Sequence, residues 1–335
     1  LKISVVIPAY NRAHLIGETL RSLLVQTRPA DEIIVVDDGS TDDTAAVAAA
    51  SSETVKVIRQ ANGGPASARN TGFRAARGEF IHFFDSDDLA APNKQALQLA
   101  AIESTGADIA YGPWIKGHLA DGGFTPSNLV FQQKGLPDGD NLVKPLLTNW
   151  SVVPHAALFR RTIVERAGGF PEDLFGTEDQ QMFLACLLAG ARVVHTPGTI
   201  EFYREGDVGK ITESKSGESR RVREWARFLL KAREACLQKN IDPVDWFGFR
   251  LRIWEVCDDL ARNGDANGEL RAQLRPLLMG RSPVGFYRYQ RQLERWRGGL
   301  QFRLTGGRAG SAFKPGKMTV EQLEQLQRLG YKIYS

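Results

Sequence analysis

Asp85-Ser86-Asp87 is the sharpest chemical signal in the chain. Two carboxylates one residue apart, directly after the apolar run 80–84, can share a divalent cation or divide their work between a cation and a ribose. Mg2+ and Mn2+ are hard cations that take carboxylate oxygens and complete their shells with substrate phosphates and water. An Asp-x-Asp alone is most often a polar turn. Its company changes the reading, because Asp37-Asp38-Gly39-Ser40-Thr41 follows a second apolar run, 33–36. A carboxylate at such a tip can accept the imide N–H of uracil. Ser40 to Asp43 also suit a helix cap, and the two roles are compatible.

Two further segments extend the set. Small residues from Gly63 to Ala68, with Gly64 among them, permit close approach of a ligand, and Arg69 offers a cation for base or phosphate. The bland alternative for Arg69 is a surface arginine on a helix. Glu178-Asp179 stands just before a helical pattern, where a carboxylate is usually a cap. The functional reading is a general base, since attack by an acceptor hydroxyl on an anomeric carbon requires removal of its proton. A metal would stabilise a departing diphosphate. One base and one metal suffice for single displacement with inversion.

Elements that must position these residues follow from the pattern. Short runs rich in Val, Ile and Phe at 3–7, 32–36, 55–58, 80–84 and 108–111 read as strands, with helical patterns between them. Alternation of this kind predicts a mostly parallel sheet covered by helices, with ligands beyond the carboxyl ends of the strands. Segment 112–204 has mixed signals: 155–161 reads as a strand, 179–189 as a helix, and 192–195 and 200–204 as strands. From about residue 217 the pattern is helical, over 218–239, 243–263 and 269–279, with a last short helix at 320–329.

The combination Val5-Val6-Ile7-Pro8-Ala9-Tyr10-Asn11, Val35-Val36-Asp37-Asp38-Gly39-Ser40-Thr41-Asp42, Gly64-Pro65-Ala66-Ser67-Ala68-Arg69-Asn70, Phe84-Asp85-Ser86-Asp87-Asp88 and Gly168-Gly169-Phe170 through Glu178-Asp179 resembles family 2 of the inverting glycosyltransferases over about residues 2–205. The resemblance implies an α/β fold, a Rossmann-like nucleotide-diphospho-sugar transferase domain with a mostly parallel central sheet, joined here to a C-terminal helical region. It places Pro8, Ala9, Tyr10, Arg12, Asp38, Gly64, Arg69, Asp85 and Ser86 at the nucleotide. Asp87 becomes the ligand of a Mn2+ or Mg2+ ion, Asp179 the catalytic base and Glu178 an acceptor contact. Many members carry a histidine soon after a Tyr-Arg pair near the end of the domain. Here Tyr203-Arg204 leads into Glu205-Gly206-Asp207, so Arg204, Lys210 or water must serve the diphosphate.

The expected organisation is a catalytic domain over 1–215, with a nucleotide-binding half 1–111 and an acceptor half 112–215, and a helical extension over 216–335. Trp114, Trp150 and His155 fall where an acceptor could bind, since aromatic faces stack on sugars, although core packing is an equal reading. His82 and His195 read as packed strand residues, and Trp225, Trp246 and Trp254 as helical core. Expected partners are a nucleotide-diphospho-sugar, UDP-linked by preference, and a glycan or lipid-linked saccharide of the cell envelope. The helical third could complete the acceptor site, form a homo-oligomer interface or dock on a membrane.

Composition sets the outer limits. The chain has 335 residues, 42% hydrophobic and 24% charged, ordinary for a globular protein with a core of normal size. Three cysteines without paired spacing argue against a disulfide framework or a zinc site. With no apolar leader and no run of about 18 apolar residues, the expected location is the cytoplasm, with peripheral contact at the inner membrane face. Segment 281–317 could make that contact, holding nine basic residues against Glu294 alone. No nucleic-acid-binding module is evident. A sugar nucleotidyltransferase would carry a Gly-rich phosphate loop after the first strand, where Pro8-Ala9-Tyr10-Asn11 stands instead. A non-catalytic nucleotide-sugar-binding protein would be expected to lack Asp87 or Asp179, and both are present.

Overall fold

The computed structural model describes residues 1–120, 123–133, 135–139, 141–206, 215–263, 268–278 and 318–333, with single positions at 286, 287, 289, 292, 293 and 296. Strands β1 (Ile3–Ala9), β2 (Glu32–Asp37), β3 (Val55–Arg59), β4 (Phe80–Phe83) and β6 (Ile109–Tyr111) lie where the apolar runs predict them. Helices α1 (Ile16–Leu24), α2 (Thr44–Ser51), α3 (Gly64–Ala75) and α4 (Lys94–Thr105) alternate with them. Two strands from later in the chain, β9 (Ala157–Arg160) and β10 (Val193–His195), complete a seven-stranded sheet in the order β10-β6-β9-β4-β1-β2-β3. The sheet is parallel except for β9, which runs antiparallel to both β4 and β6. The expected α/β architecture with a mostly parallel central sheet is therefore present, with β9 as its antiparallel member.

Burial explains why these runs are strands. Val5, Ile7, Ile33 and Val35 pack under α1 and α2, while Val6, Ile34 and Val36 face α3 on the other side. Apolar on both faces, such strands read as continuous runs rather than alternating ones. Helix α3 sits close to the sheet because Gly72 has no side chain: a Cβ there would meet Val6 Cγ1 at 2.4 Å.

A second sheet was not legible in the mixed middle segment. It contains β5 (Leu89–Ala90), β7 (Trp114–Ala120), β8 (Gly123–Phe131), β11 (Glu201–Arg204) and β12 (Lys332–Ile333), in the order β12-β8-β7-β11-β5. Strands β7 and β8 form an antiparallel hairpin with a register shift between Ile115 and Gly117. The expected strand at 155–161 opens instead as a 3-10 turn, Pro154–Ala156, because Pro154 starts it.

Helices α5 (Val143–Thr148), α6 (Arg161–Ala167) and α7 (Glu178–Leu188) lead to α8 (Lys215–Leu237), α9 (Phe247–Asn263) and α10 (Glu269–Leu274). Phe228, Leu229, Phe249 and Ile253 of α8 and α9 belong to the same apolar cluster as Trp150, Phe159 and Phe183. The helical C-terminal region is thus joined to the main core. Last comes α11 (Val320–Arg328), with a capping box between Thr319 and Gln322, and its Leu326 packs with Phe124 and Phe202 of the second sheet. Among the described residues no helix is long and apolar enough to cross a membrane. Residue 210 and most of 281–317 lie outside the described residues.

Candidate active site

The tips of β1, β2 and β4 meet as the parallel sheet predicts, and side chains lock the loops together. Asn11 adopts φ 52°, a left-handed conformation that asparagine tolerates better than most residues. Its backbone N–H donates to Ser40 Oγ at 2.9 Å, and its Oδ1 accepts the Thr41 N–H at 2.9 Å. Arg12 N–H donates to Thr44 Oγ1 at 2.7 Å. The loop of Pro8, Ala9, Tyr10 and Arg12 is therefore fixed against the loop of Asp38, with Tyr10 exposed and Ala9 buried.

The two aspartates at 37 and 38 divide labour. Asp37 is buried, accepts from Arg59 Nε at 2.9 Å and from the Ser40 N–H at 3.1 Å. Asp38 accepts from Gln60 Nε2 at 2.8 Å and from the N–H groups of Gly63 at 2.9 Å and Gly64 at 2.8 Å. It thereby presents the small-residue loop at the start of α3. Three of its roughly four acceptor positions are used.

Arg69 connects the acidic tip to α7. One guanidinium nitrogen donates to Asp85 Oδ1 at 2.8 Å and the other to Glu178 Oε1 at 3.0 Å, while the guanidinium lies 5.3 Å from the Phe170 ring centre. Asn70 secures the same approach. Its Nδ2 donates to the Phe170 carbonyl at 2.8 Å and its Oδ1 accepts the Phe170 N–H at 2.9 Å. Gly169 is required there, since it has φ +75° and a Cβ would stand 2.8 Å from Asn70 Oδ1.

Glu178 is buried and also accepts the Gly176 N–H at 2.5 Å, so it anchors the start of α7 to Arg69. Asp179 is partly exposed beside it. Burial of its carboxylate and the neighbouring Glu178 charge, opposed by Arg69, push its pKa up to about 7. That is the range in which a carboxylate serves best as a general base at neutral pH.

His155 turns out to belong to the acidic loop. Buried beneath it, His155 Nδ1 lies 2.9 Å from Asp85 Oδ2 and 3.3 Å from Asp88 Oδ2. Burial disfavours the imidazolium, but Asp88 and Asp85 outweigh it and raise the pKa to about 9. Conversely, Arg69 and His155 overcome burial to hold Asp85 well below the usual carboxylate range. The other two residues proposed for an acceptor are packed inside. Trp150 is buried between Tyr111 and Phe183, and Trp114 is buried with its ring stacked on Phe131 at 5.4 Å. Their rings fill core and sheet space rather than facing a cleft. Ser86 is buried, its carbonyl accepting from Thr19 Oγ1 at 3.1 Å.

Asp85, Asp88 and His155 bring three ligand atoms within 4.8 Å of one another. The charges of Asp88 and Asp85 favour protonated His155, whose Nδ1 faces both carboxylates; as a neutral imidazole it would offer, with them, a ligand set for a divalent ion. Asp87 is placed differently. The cation facing it, Arg12 Nε, is 3.9 Å from Oδ2, beyond hydrogen-bond length. Carboxylate oxygens fit Mn2+ or Mg2+, and Asp87 stands on the same loop as Asp85 and Asp88.

Several further residues support this neighbourhood. Arg204 donates its backbone N–H to Asp88 Oδ1 at 2.9 Å, its Nε to the Asp87 carbonyl at 2.8 Å and its Nη2 to Glu18 Oε2 at 2.6 Å. It clasps the acidic loop through these contacts. Below His155 lies a buried ion pair, Lys94 Nζ to Glu201 Oε1 at 3.0 Å, with His82 Nε2 3.2 Å from Lys94 Nζ. Burial raises the Glu201 pKa to about 8 and lowers that of Lys94.

Residues 4–168 match glycosyl transferase family 2. The domain belongs to that family. The chain is 32% identical over 216 residues to an uncharacterised glycosyltransferase, EpsJ, of Bacillus subtilis, an alignment spanning 61% of each chain. Three relatives from Rickettsia are matched over no more than 17% of their lengths. The chain thus spans less than two thirds of these relatives. Among solved structures, TarS 1–349 of S. aureus in complex with UDP superposes with a TM-score of 0.53 at 18% identity, over 98% of this chain and 90% of that one. The mannosyltransferase PcManGT of Pyrobaculum calidifontis, in complex with GDP-Man and Mn2+, gives 0.53 at 21% identity, over 86% and 82%. At these identities the likeness establishes the shared glycosyltransferase fold.

Proposed function

We propose that this family 2 glycosyltransferase moves a sugar from a nucleotide-diphospho-sugar, UDP-linked by preference, to a hydroxyl of a glycan or lipid-linked acceptor with inversion. The observation that carries the reading is the Arg69 bridge. It fixes the Asp85 tip against the start of α7, and so sets Asp179, with its raised pKa, beside the donor loop. The acceptor oxygen forms the new bond to the anomeric carbon, its proton passes to Asp179, and the bond from that carbon to the diphosphate oxygen breaks. Pro8, Tyr10 and Asp38 line the base, with Gly64 permitting close approach. Arg69 and His155 keep Asp85 ionised toward the ribose. A divalent ion held by Asp87 would neutralise charge on the leaving diphosphate. A nucleotide-diphospho-sugar donor of either base is supported by the two structures of this fold, one in complex with UDP and the other with GDP-Man and Mn2+.

Titration calorimetry with UDP, GDP, CDP and dTDP, in Mn2+ and in chelator, tests this reading. One nucleotide, UDP by expectation, binds in Mn2+ and at least about tenfold more weakly in chelator, and Asp87→Ala removes that difference. Absence of binding by any of the four in a folded sample defeats the assignment. Unchanged Mn2+ dependence in Asp87→Ala removes Asp87 from the metal.

The acceptor reading carries a location with it. Phe286, Tyr289 and Trp296 are 42%, 59% and 65% exposed, spaced three and seven residues apart within the basic segment. Exposed aromatics among basic residues suit an anionic lipid surface. The protein should co-sediment with vesicles containing phosphatidylglycerol and not with pure phosphatidylcholine. A Phe286→Ser/Tyr289→Ser/Trp296→Ser variant should lose that binding; equal pelleting of both proteins, or none by the parent, rejects the membrane contact.

A further inference from the structure

Lys116 is a cation on the second sheet that the donor reading leaves unused. It lies on β7, half-buried, with Nζ 4.9 Å from the centre of the Tyr203 ring. Tyr203 is its register partner on the parallel strand β11, so both side chains stand on one face of the sheet. The Tyr203 ring, also half-buried, lies 5.7 Å from the His155 ring, whose Nδ1 faces Asp85 and Asp88. A row of side chains therefore leads from the acidic loop across the sheet to Lys116. Among the described residues the Lys116 ammonium pairs with no carboxylate, and its contact is with this ring. Glu205, just past β11, accepts instead from Ser127 Oγ at 2.8 Å. An aromatic face attracts a cation through its quadrupole without neutralising it, so the charge stays available to a ligand.

Resting on the transferase reading above, we infer that Lys116, laid on Tyr203, is the anion site of the acceptor, and that the acceptor carries a phosphate or carboxylate near the hydroxyl that receives the sugar. Position separates this cation from the donor's diphosphate. The sheet order β7-β11-β5 puts β11 between Lys116 and β5, and β5 follows directly on the acidic loop. Two interstrand spacings are about 10 Å, so a diphosphate held at Asp87 leaves Lys116 to a second ligand. The aromatic rings first expected to meet the acceptor, Trp114 and Trp150, are buried, whereas Lys116 and Tyr203 both reach solvent. An ammonium is a compact point charge with three donors, suited to phosphate and carboxylate alike. A neutral acceptor gains nothing from it.

The test measures acylation of Lys116 by a water-soluble amine reagent, read on its peptide by mass spectrometry, in protein carrying UDP and Mn2+ and in protein alone. The probes are glycerol 3-phosphate, glycerate and glycerol, which share hydroxyls and differ in charge. The concentration that halves labelling of Lys116 is expected to be at least about fivefold lower for a charged probe than for glycerol, the factor that a unit charge about 4 Å away is worth under water-like screening. Protection by one charged probe and not the other names the acceptor's group. Lys116→Met is expected to keep UDP affinity in Mn2+ within about twofold of the parent. Equal effects of charged and neutral probes, or no protection by any, overturn the inference. UDP binding weakened at least about fivefold in Lys116→Met overturns it too, because that assigns the lysine to the donor's diphosphate. The parent protein separates the two readings: if it binds UDP in Mn2+ while the charged probes show no preference, the donor site stands and the acceptor assignment falls. If the parent binds no nucleoside diphosphate, the donor site falls, and labelling of the protein alone still decides whether Lys116 holds an anion.

Discussion

Asp179→Asn lowers the rate of sugar transfer by about 10^2–10^4-fold, the range a positioned general base contributes, while UDP binding in Mn2+ stays within about twofold. The amide matches the carboxylate in shape and still meets the Gln180 N–H through its oxygen, but it cannot take a proton. The pH dependence supplies a second signature. Burial and the Glu178 charge raise the Asp179 pKa to about 7, so below that pH the group is increasingly protonated and unable to accept. In the parent, log kcat/KM should rise with unit slope toward pH 7 and level above it, and the residual activity of Asp179→Asn should lack that limb. Full activity in the variant, or an unchanged limb, would remove Asp179 from the base position.

Arg69→Leu carries the largest expected cost in stability. It removes one cation from two carboxylates, Asp85 and the buried Glu178, and leaves both without their Arg69 partner. Breaking a buried pair by deleting one partner costs about 3–5 kcal/mol. A domain with roughly 5–15 kcal/mol in hand stays folded, so urea unfolding can measure the loss. The sign with pH follows from Asp85. Its folded pKa is depressed, so its stabilising contribution is present above the ordinary value of 3.8 and is lost as pH falls through the folded value. The gap between parent and variant should therefore narrow as pH drops below 3.8, when carboxylates in the variant take up protons. Arg69→Lys should recover only part of the loss, because a single ammonium lacks the planar fork that reaches two carboxylates. A deficit under about 1 kcal/mol in Arg69→Leu would mean that the bridge does not hold α7 to the donor loop, and would weaken the placement of Asp179.

The acidic loops at the strand tips were legible because each is local. An apolar run followed at once by Asp85-Ser86-Asp87 or Asp37-Asp38 encodes a strand and its tip within ten residues, and an α/β alternation sends such tips to one edge of the sheet. Helix α7 was legible for the same reason, with Gly168-Gly169 before it and an apolar face along it. The second sheet was not, since β5 and β12 have two residues each and β12 finds β8 from some two hundred residues away. Nothing near residue 332 announces that partner.

The site divides in the same way. Residue types and order alone were enough to nominate Asp38, Arg69, Asp85, Asp87 and Asp179, because the chemistry of each depends on a short motif. Tertiary structure decided what each one faces. His155 looked like a candidate for stacking on sugar, yet it lies seventy residues along the chain from Asp85 and packs beneath it, where the acidic loop favours its protonated form. Trp150 looked similar and fills the core. Arg204 could be named from its place after Tyr203, but its hold on Asp88, the Asp87 carbonyl and Glu18 came only with the fold. Lys94 and Glu201 gave no signal at all, although they form a buried ion pair under the site. The physical reason is common to all four. Charge state and exposure are set by burial and by partners brought from distant strands, and neither quantity exists until the chain has closed around the sheet.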